Sequence, residues 1–210
     1  MIWEFFLAGG LTMIPLAFCS IVSMAIIIYK LFDTRRSQFI DQKEIKLIKQ
    51  MIEKNDFNEA QYHCTQNPGV FTNIVSRSLE ARDGGEIEIK DAIEEAGRYE
   101  VPKIEKWLGP LRTIAAISPL LGLFGTVIGM IRVFNQIEEV GLGQVSAFSG
   151  GIAEALITTA TGLAIAIPTL VMYNYFVDKS ESIILEVEKY SADVMRQLIS
   201  KPIPEQADAI

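Results

Sequence analysis

Positive charge is scarce in this 210-residue chain: 19 Lys and Arg stand against 26 Asp and Glu, a formal net charge of −7. With no basic arm or stripe, nucleic acid is excluded as a partner. Histidine is scarcer still: His63 stands alone, with no Cys or Glu constellation around it, and reads as a solvated helix residue. The two cysteines, Cys19 and Cys64, lack metal-ligand spacing. One falls in a predicted membrane span and the other in a predicted soluble region, so no disulfide is expected. A Gly-rich phosphate loop, a Ser/His/Asp set and a metal cluster are all missing. The chain is therefore expected not to be an enzyme, to need no cofactor or metal, and to have no means of drawing on ATP by itself. No Lys or Arg precedes Lys30, whereas a secretory signal begins with a basic region. The apolar start, Met1-Ile-Trp-Glu-Phe-Phe-Leu7, is read as an uncleaved anchor.

What the chain does have is hydrophobic residues, half of its length. They gather into three runs, Leu7 to Leu31, Leu108 to Phe134 and Gly150 to Val177. Each is longer than the roughly 20 residues that cross a bilayer. Backbone groups in lipid must be satisfied within the segment, which makes all three helices. Pro15, Pro119 and Pro168 fall inside the runs, and Ser118 and Thr169 are placed to cover the carbonyls that two of them free. The fold class is all-α and membrane-integral, with long helical extensions outside the membrane. Residues 1–32 form the first span and 33–107 a helical domain. Residues 108–134 form the second span, 135–149 a short link, 150–177 the third span, 178–201 a further helix and 202–210 a disordered tail.

Orientation follows from basic residues near the ends of spans. Thirteen Lys or Arg lie from Lys30 to Lys106, and Lys179, Lys189, Arg196 and Lys201 follow the third run. The link 135–149 has none. The N-terminus and the link are thus expected outside, with residues 33–107 and the C-terminus in the cytoplasm. Arg132, near the outer end of the second run, is expected to snorkel to the headgroups. In the cytoplasmic stretch, Lys43–Glu53, Val70–Arg82 and Glu86–Trp107 have helical periodicity. Asp56 with Glu59 resembles a capping box, and Pro102 predicts a kink or a helix boundary.

Within the spans, small residues recur at helical spacing: Ser118, Gly122, Gly125 and Gly129 in the second, and Gly151, Ala155, Thr159, Gly162 and Ala166 in the third. Such spacing lets helices approach closely in lipid, and Gly122, Gly125, Gly129, Gly151 and Gly162 are read as packing residues. Glu154 is the exception. A carboxylate costs about 2.5–3.5 kcal/mol at a bilayer centre and less near an interface, so one that is kept points to ion handling. Thr158 and Thr161 lie within about 40° of it on a helical wheel and could hydrate it, while Thr159 lies about 140° away. Its partner is expected to be another polar group, trapped water or a residue of another chain. Two plainer readings stand beside this one. Glu154 could cap the outer helix end, and the threonines could bond back to their own helix.

Two stretches, Ser118-Pro-Leu-Leu-Gly-Leu-Phe-Gly-Thr-Val-Ile-Gly-Met-Ile-Arg-Val-Phe134 and Gly150-Gly-Ile-Ala-Glu-Ala-Leu-Ile-Thr-Thr-Ala-Thr-Gly-Leu-Ala-Ile-Ala-Ile-Pro-Thr-Leu-Val-Met-Tyr-Asn174, resemble the MotA/TolQ/ExbB family of proton-driven motor subunits. The ExbB/TolQ branch fits best, because flagellar stator subunits have four spans. The resemblance implies a pentamer of this chain around a dimer of a single-span ExbD/TolR-like partner. That partner's aspartate would carry protons through a pore lined by the second and third spans. It further implies the inner membrane, with work passed to a TonB- or TolA-like protein in the periplasm. The family's polar pore positions fall on Glu154, Thr126 and Thr159. Thr158 and Thr161 stand where other members often have Ala and Ile, which leaves sodium open beside protons. The implied function is a proton-channel and motor subunit energising TonB-dependent outer-membrane transport. The alternatives are a TolQ-type role in envelope integrity and, from another class, a passive scaffold without ion flux.

Overall fold

The computed structural model describes residues 9–33, 42–140 and 145–200, and among these every regular element is helical. In chain order they are α1 (Met13–Asp33), α2 (Gln42–Glu53), α3 (Phe57–Gln66), α4 (Val70–Glu80), a single 3₁₀ turn (Arg82–Gly84), α5 (Glu86–Ile104), α6 (Leu108–Val140) and α7 (Val145–Ile199). Three of them, α1, α6 and α7, are long and apolar enough to cross a membrane. The chain is an all-α, multi-span membrane protein. It divides into two compact units, one drawn from Met1–Lys30 and Trp107–Phe176, the other from Leu31–Lys106 and Val177–Ile210. The expected start of the first run at Leu7 and the expected disordered tail lie outside the described residues.

The first unit is organised by a glycine seam between α6 and α7. A β-carbon placed on Gly162 would stand 2.5 Å from the Ser118 carbonyl oxygen, and one on Gly122 would stand 2.9 Å from that of Thr158. One on Gly129 would stand 2.8 Å from the Gly151 carbonyl oxygen, and one on Gly151 would meet the Val133 side chain at 2.5 Å. Positions on α6 rise as their neighbours on α7 fall, so the two helices run antiparallel. Close approach of backbones through small residues is the main route to association where lipid competes for apolar contact. The Thr159 hydroxyl adds a hydrogen bond across the seam to the Gly122 carbonyl, 3.2 Å. From α1 a narrower stripe is buried, with Met13, Leu16, Cys19, Ser23, Ile26 and Lys30 spaced by three or four residues. Elsewhere the spans present large apolar side chains outward, among them Phe18, Ile21, Leu120, Phe134, Leu156 and Ile167. That pattern suits lipid or neighbouring helices rather than water.

The prolines are accommodated differently from the sequence expectation. Pro15 lies in the first turn of α1, where its missing N–H has no helical partner to lose. Pro119 and Pro168 free the carbonyls of Ala115 and Ala164, four residues back. Ser118 and Thr169 instead bond Ile114 and Ile165, each its own i−4 carbonyl, both at 2.7 Å. A hydroxyl one position from a proline reaches the carbonyl one position from the freed one. The link expected over 135–149 is shorter than the sequence suggests, because α6 continues to Val140 and α7 begins at Val145. Pro168 does not end α7, which runs on to Ile199 without a second start.

In the second unit, α2 to α5 pack with the Val177–Ile199 part of α7. The core joins Ile45, Ile48, Ile52, Phe71, Ile74, Val75, Ile89, Ile104, Val187, Val194 and Leu198. Polar contacts bind the same elements. Lys49 pairs with Asp193 at 2.8 Å and stands over the Tyr190 ring, Asn73 donates to Glu100 at 2.9 Å, and Gln61 donates to Ser76 at 2.9 Å. Gly85 starts α5 with a φ of +86°, a conformation that side chains disfavour. α5 closes two residues beyond Pro102, at Ile104. Trp107 lies outside the helix predicted to include it and takes φ +72°, with an edge-on contact to Tyr29 at 6.5 Å. Asp56 precedes α3 but makes no side-chain capping bond, so the predicted capping box does not form.

Both cysteines are buried and unbridged. Burial, with a further contribution from Glu44, pushes the Cys64 thiol up to about 12. Since thiolate is the reactive form, iodoacetamide at pH 8 should leave Cys64 unlabelled in the folded protein and label it fully in denaturant, read by peptide mass spectrometry. The seam gives a second expectation. Gly162→Leu drives a side chain into backbone that cannot give, an overpacking cost of about 1–3 kcal/mol. Gly109→Ala, where a β-carbon meets nothing, should be neutral or slightly stabilising. Thermal unfolding of the two variants in detergent decides this.

Candidate functional site

Glu154 sits on α7 nine residues after the helix begins, on the side that faces α6. The seam fixes which α6 residues lie at the same depth. Gly129 opposes Gly151 and Ala155, and Val133 opposes Gly151. Arg132 therefore projects from α6 at the level of Glu154. Its Nη1 donates to both carboxylate oxygens, each at 2.6 Å. The carboxylate side chain keeps only 13% of its exposure, while the guanidinium keeps 49%. The partner of Glu154 is thus a basic residue of the same chain. The expectations of a non-basic or intermolecular partner, and of Arg132 simply reaching for headgroups, are corrected. They failed because a wheel drawn for one helix cannot show the register of its neighbour.

A third segment completes the site. Gly10, just before α1, has φ +64°, and a β-carbon there would collide with the Glu154 carboxylate and lie 3.3 Å from Arg132 Nη1. Only glycine offers both that backbone conformation and that absence of volume. The Glu154 carboxylate thus has both Gly10 and the Arg132 guanidinium against it. Neither Gly10 nor Arg132 was singled out as a partner of Glu154 from the sequence. One signal was available: Arg132 and Glu154 lie at similar distances from the two ends of the short link, and antiparallel spans place such residues at one depth.

The hydroxyl groups are placed as follows. Thr158 is fully buried and bonds within α7, to the carbonyls of Glu154 at 3.2 Å and Ala155 at 2.9 Å. Gly125 packs directly on its side chain. Thr161 bonds the Ile157 carbonyl at 2.8 Å, and Thr126 bonds the Leu123 carbonyl at 2.6 Å. Thr159 alone reaches across to α6. The plainer reading of Thr158 and Thr161, bonding back to their own helix, describes their donors. The half-buried Thr161 oxygen keeps lone pairs as an acceptor, whereas Thr158 is sealed from solvent. The structure brings Glu154 together with Arg132 and Gly10, and not with the hydroxyls of Thr126, Thr159 or Thr161.

A multi-span helical protein with a paired carboxylate between two closely packed spans is the class these features define. The MotA/TolQ/ExbB proton channel family matches residues 65–189, more than half of the chain and all of α6, and this protein belongs to that family. An ExbB-like biopolymer transport protein of Synechocystis sp. is 30% identical over 173 residues, covering 81% of this chain and 82% of that protein. An ExbB homologue of Methanothermobacter thermautotrophicus is 30% identical over 186 residues, covering 88% of this chain and 66% of its own length. ExbB of Salmonella typhimurium is 40% identical over 119 residues, and the Tol-Pal system protein TolQ of Pseudomonas aeruginosa is 44% identical over 85 residues. This chain spans 45% of that ExbB and 37% of that TolQ.

Removing one partner of the pair strands the other charge, whereas removing both does not. Half-exposure of Arg132 moderates the effect toward the solvent-screened range. A double-mutant cycle of Arg132→Gln and Glu154→Gln, read as unfolding free energy in detergent, should give a favourable coupling of about 1 kcal/mol. Additive single effects would show that the pair is not formed.

Proposed function

We propose that this chain is the inner-membrane proton-channel and motor subunit of an ExbB-type complex. It would work with an ExbD-like single-span partner to energise TonB-dependent outer-membrane transport. The observation that carries this reading is the largely covered carboxylate between α6 and α7, within the stretch matched by the proton channel family. An ionisable residue kept at such a place is a site of ion handling by default. The energy source is the ion gradient, worth about 2.3 kcal/mol per charge per 100 mV, and the chain itself carries out no enzymatic step.

The assembly in this reading is a ring, a pentamer, with the exposed apolar faces of α1, α6 and α7 turned to lipid and to neighbouring copies. The N-terminus and the α6–α7 connection face the periplasm, and α2–α5 with the C-terminal part of α7 lie in the cytoplasm, following the distribution of basic residues. Glu154, Thr126 and Thr159 line the ion path, and Thr161 offers lone pairs to its water. The alternating proton carrier is an aspartate of the partner, and the work passes to a TonB-like protein.

A second reading, a TolQ-type subunit of an envelope-integrity system, is supported by the 44% identity to TolQ over 85 residues. The two share one physical mechanism and differ in client. Deleting the gene should abolish iron–siderophore uptake under the first reading and give detergent sensitivity with chained cells under the second. In proteoliposomes holding the chain and its single-span partner, Glu154→Gln should cut proton flux severalfold or more. Unchanged flux would remove Glu154 from the path, and a wild-type complex that passes no ions would leave only the scaffold.

A further inference from the structure

The charge that the site presents outward is not the carboxylate. Glu154 is seven-eighths covered, whereas half of the Arg132 side chain remains exposed. Both carboxylate oxygens accept from a single guanidinium nitrogen at 2.6 Å. Beside Oε1 lies Gly10, close enough that one added β-carbon would collide with that oxygen and stand 3.3 Å from Arg132 Nη1. A metal cation of the sodium or lithium kind needs oxygen lone pairs as ligands, and a carboxylate supplies the strongest of them. Here Arg132 takes one lone pair of each oxygen and Gly10 crowds Oε1, so an approaching cation meets a fixed positive charge beside the carboxylate. Charged groups that ring a conducting path select by this means. A proton differs, because it travels along hydrogen-bonded water and hydroxyl groups without a coordination shell. The half-buried hydroxyls of Thr126, Thr159 and Thr161 keep oxygen lone pairs of the kind such a chain uses.

We propose that Arg132, braced by Gly10, is the residue that sets ion selectivity in this protein: it withholds the Glu154 carboxylate from metal cations and leaves the path to protons. This rests on the reading of the chain as an ion-conducting subunit. Arg132 is a positioning and screening residue here, acting through Glu154. Two features make the device specific to this local geometry. One guanidinium nitrogen reaches both oxygens, and the absence of a side chain at residue 10 leaves room for Oε1 beside it.

The test uses the chain assembled with its single-span partner in proteoliposomes under an imposed membrane potential. Proton entry is read with an internal pH dye and sodium entry with ²²Na⁺. Wild type should pass protons and exclude sodium. Arg132→Gln should raise ²²Na⁺ entry by about tenfold or more, the scale expected when one fixed charge beside a carboxylate is lost. Arg132→Lys, which restores the charge, should return sodium entry most of the way to wild type. Gly10→Ala keeps both charges but displaces the carboxylate, so it should leak sodium as well. It carries the test if Arg132→Gln does not assemble. The double variant Arg132→Gln/Glu154→Gln, which has no carboxylate to expose, should be sodium-tight. Proton conduction with no sodium entry in both Arg132→Gln and Gly10→Ala overturns the selectivity role and leaves the channel reading intact. Wild type passing sodium as readily as protons also overturns it. Wild type passing neither ion overturns the channel reading, and the selectivity role falls with it.

Discussion

A carboxylate inside an apolar hairpin has to be answered by charge, and the geometry of the membrane unit follows from that requirement. Arg132 and Glu154 meet at 2.6 Å from two different helices. They can do so only if α6 and α7 hold one register along their length. The register is written in small residues: Ser118 against Gly162, Gly122 against Thr158 and Thr159, Gly129 against Gly151 and Ala155. Lipid offers no hydrophobic drive between spans, so backbone proximity and the few polar bonds across the seam must do the aligning. The ion pair and the seam are one arrangement, and a shift of a single turn on either helix would leave a largely covered carboxylate without its partner.

The two units solve the problem of burial in opposite ways. In the second, apolar side chains point into a core and the outer surface is polar, with Lys49, Asp193 and Tyr190 binding α2 to α7. In the first, the α6–α7 seam is lined largely by glycine, alanine and hydroxyl groups, and many of the large apolar residues face out, although Leu16, Leu111 and Phe176 are buried. Helix α7 serves both environments without interruption, from a Gly- and Thr-rich first part to an amphipathic remainder. Its composition changes where its surroundings do, which is why a single helix can belong to two compact units.

Most of the architecture could be read from the sequence. Spans declare themselves by length and apolarity, and those properties depend on one segment at a time. Glu154 was conspicuous for the same reason. The identity of its partner depends on two segments 22 residues apart and on the register between them, which periodicity does not encode. Gly10 was hidden more deeply, since its role rests on a positive φ and on the missing β-carbon, neither visible as a pattern. Smaller misreadings have local causes. Asp56 lay at the right spacing for a cap, but its side chain makes no bond to the backbone of α3. Ser118 and Thr169 were correctly placed beside prolines, yet a helical hydroxyl reaches its own i−4 carbonyl and so misses the freed one by a residue.

The glycine seam has a mechanical meaning as well. Where side chains interdigitate, helices can slide by exchanging rotamers, each step a small barrier. Where backbone rests on backbone there are no rotamers to exchange, and the only alternatives are full contact or separation. Contacts of this kind favour α6 and α7 moving together as one stave. Any cyclic working motion has to be taken up at the outer faces of that stave, against lipid or another subunit, while its interior stays as it is.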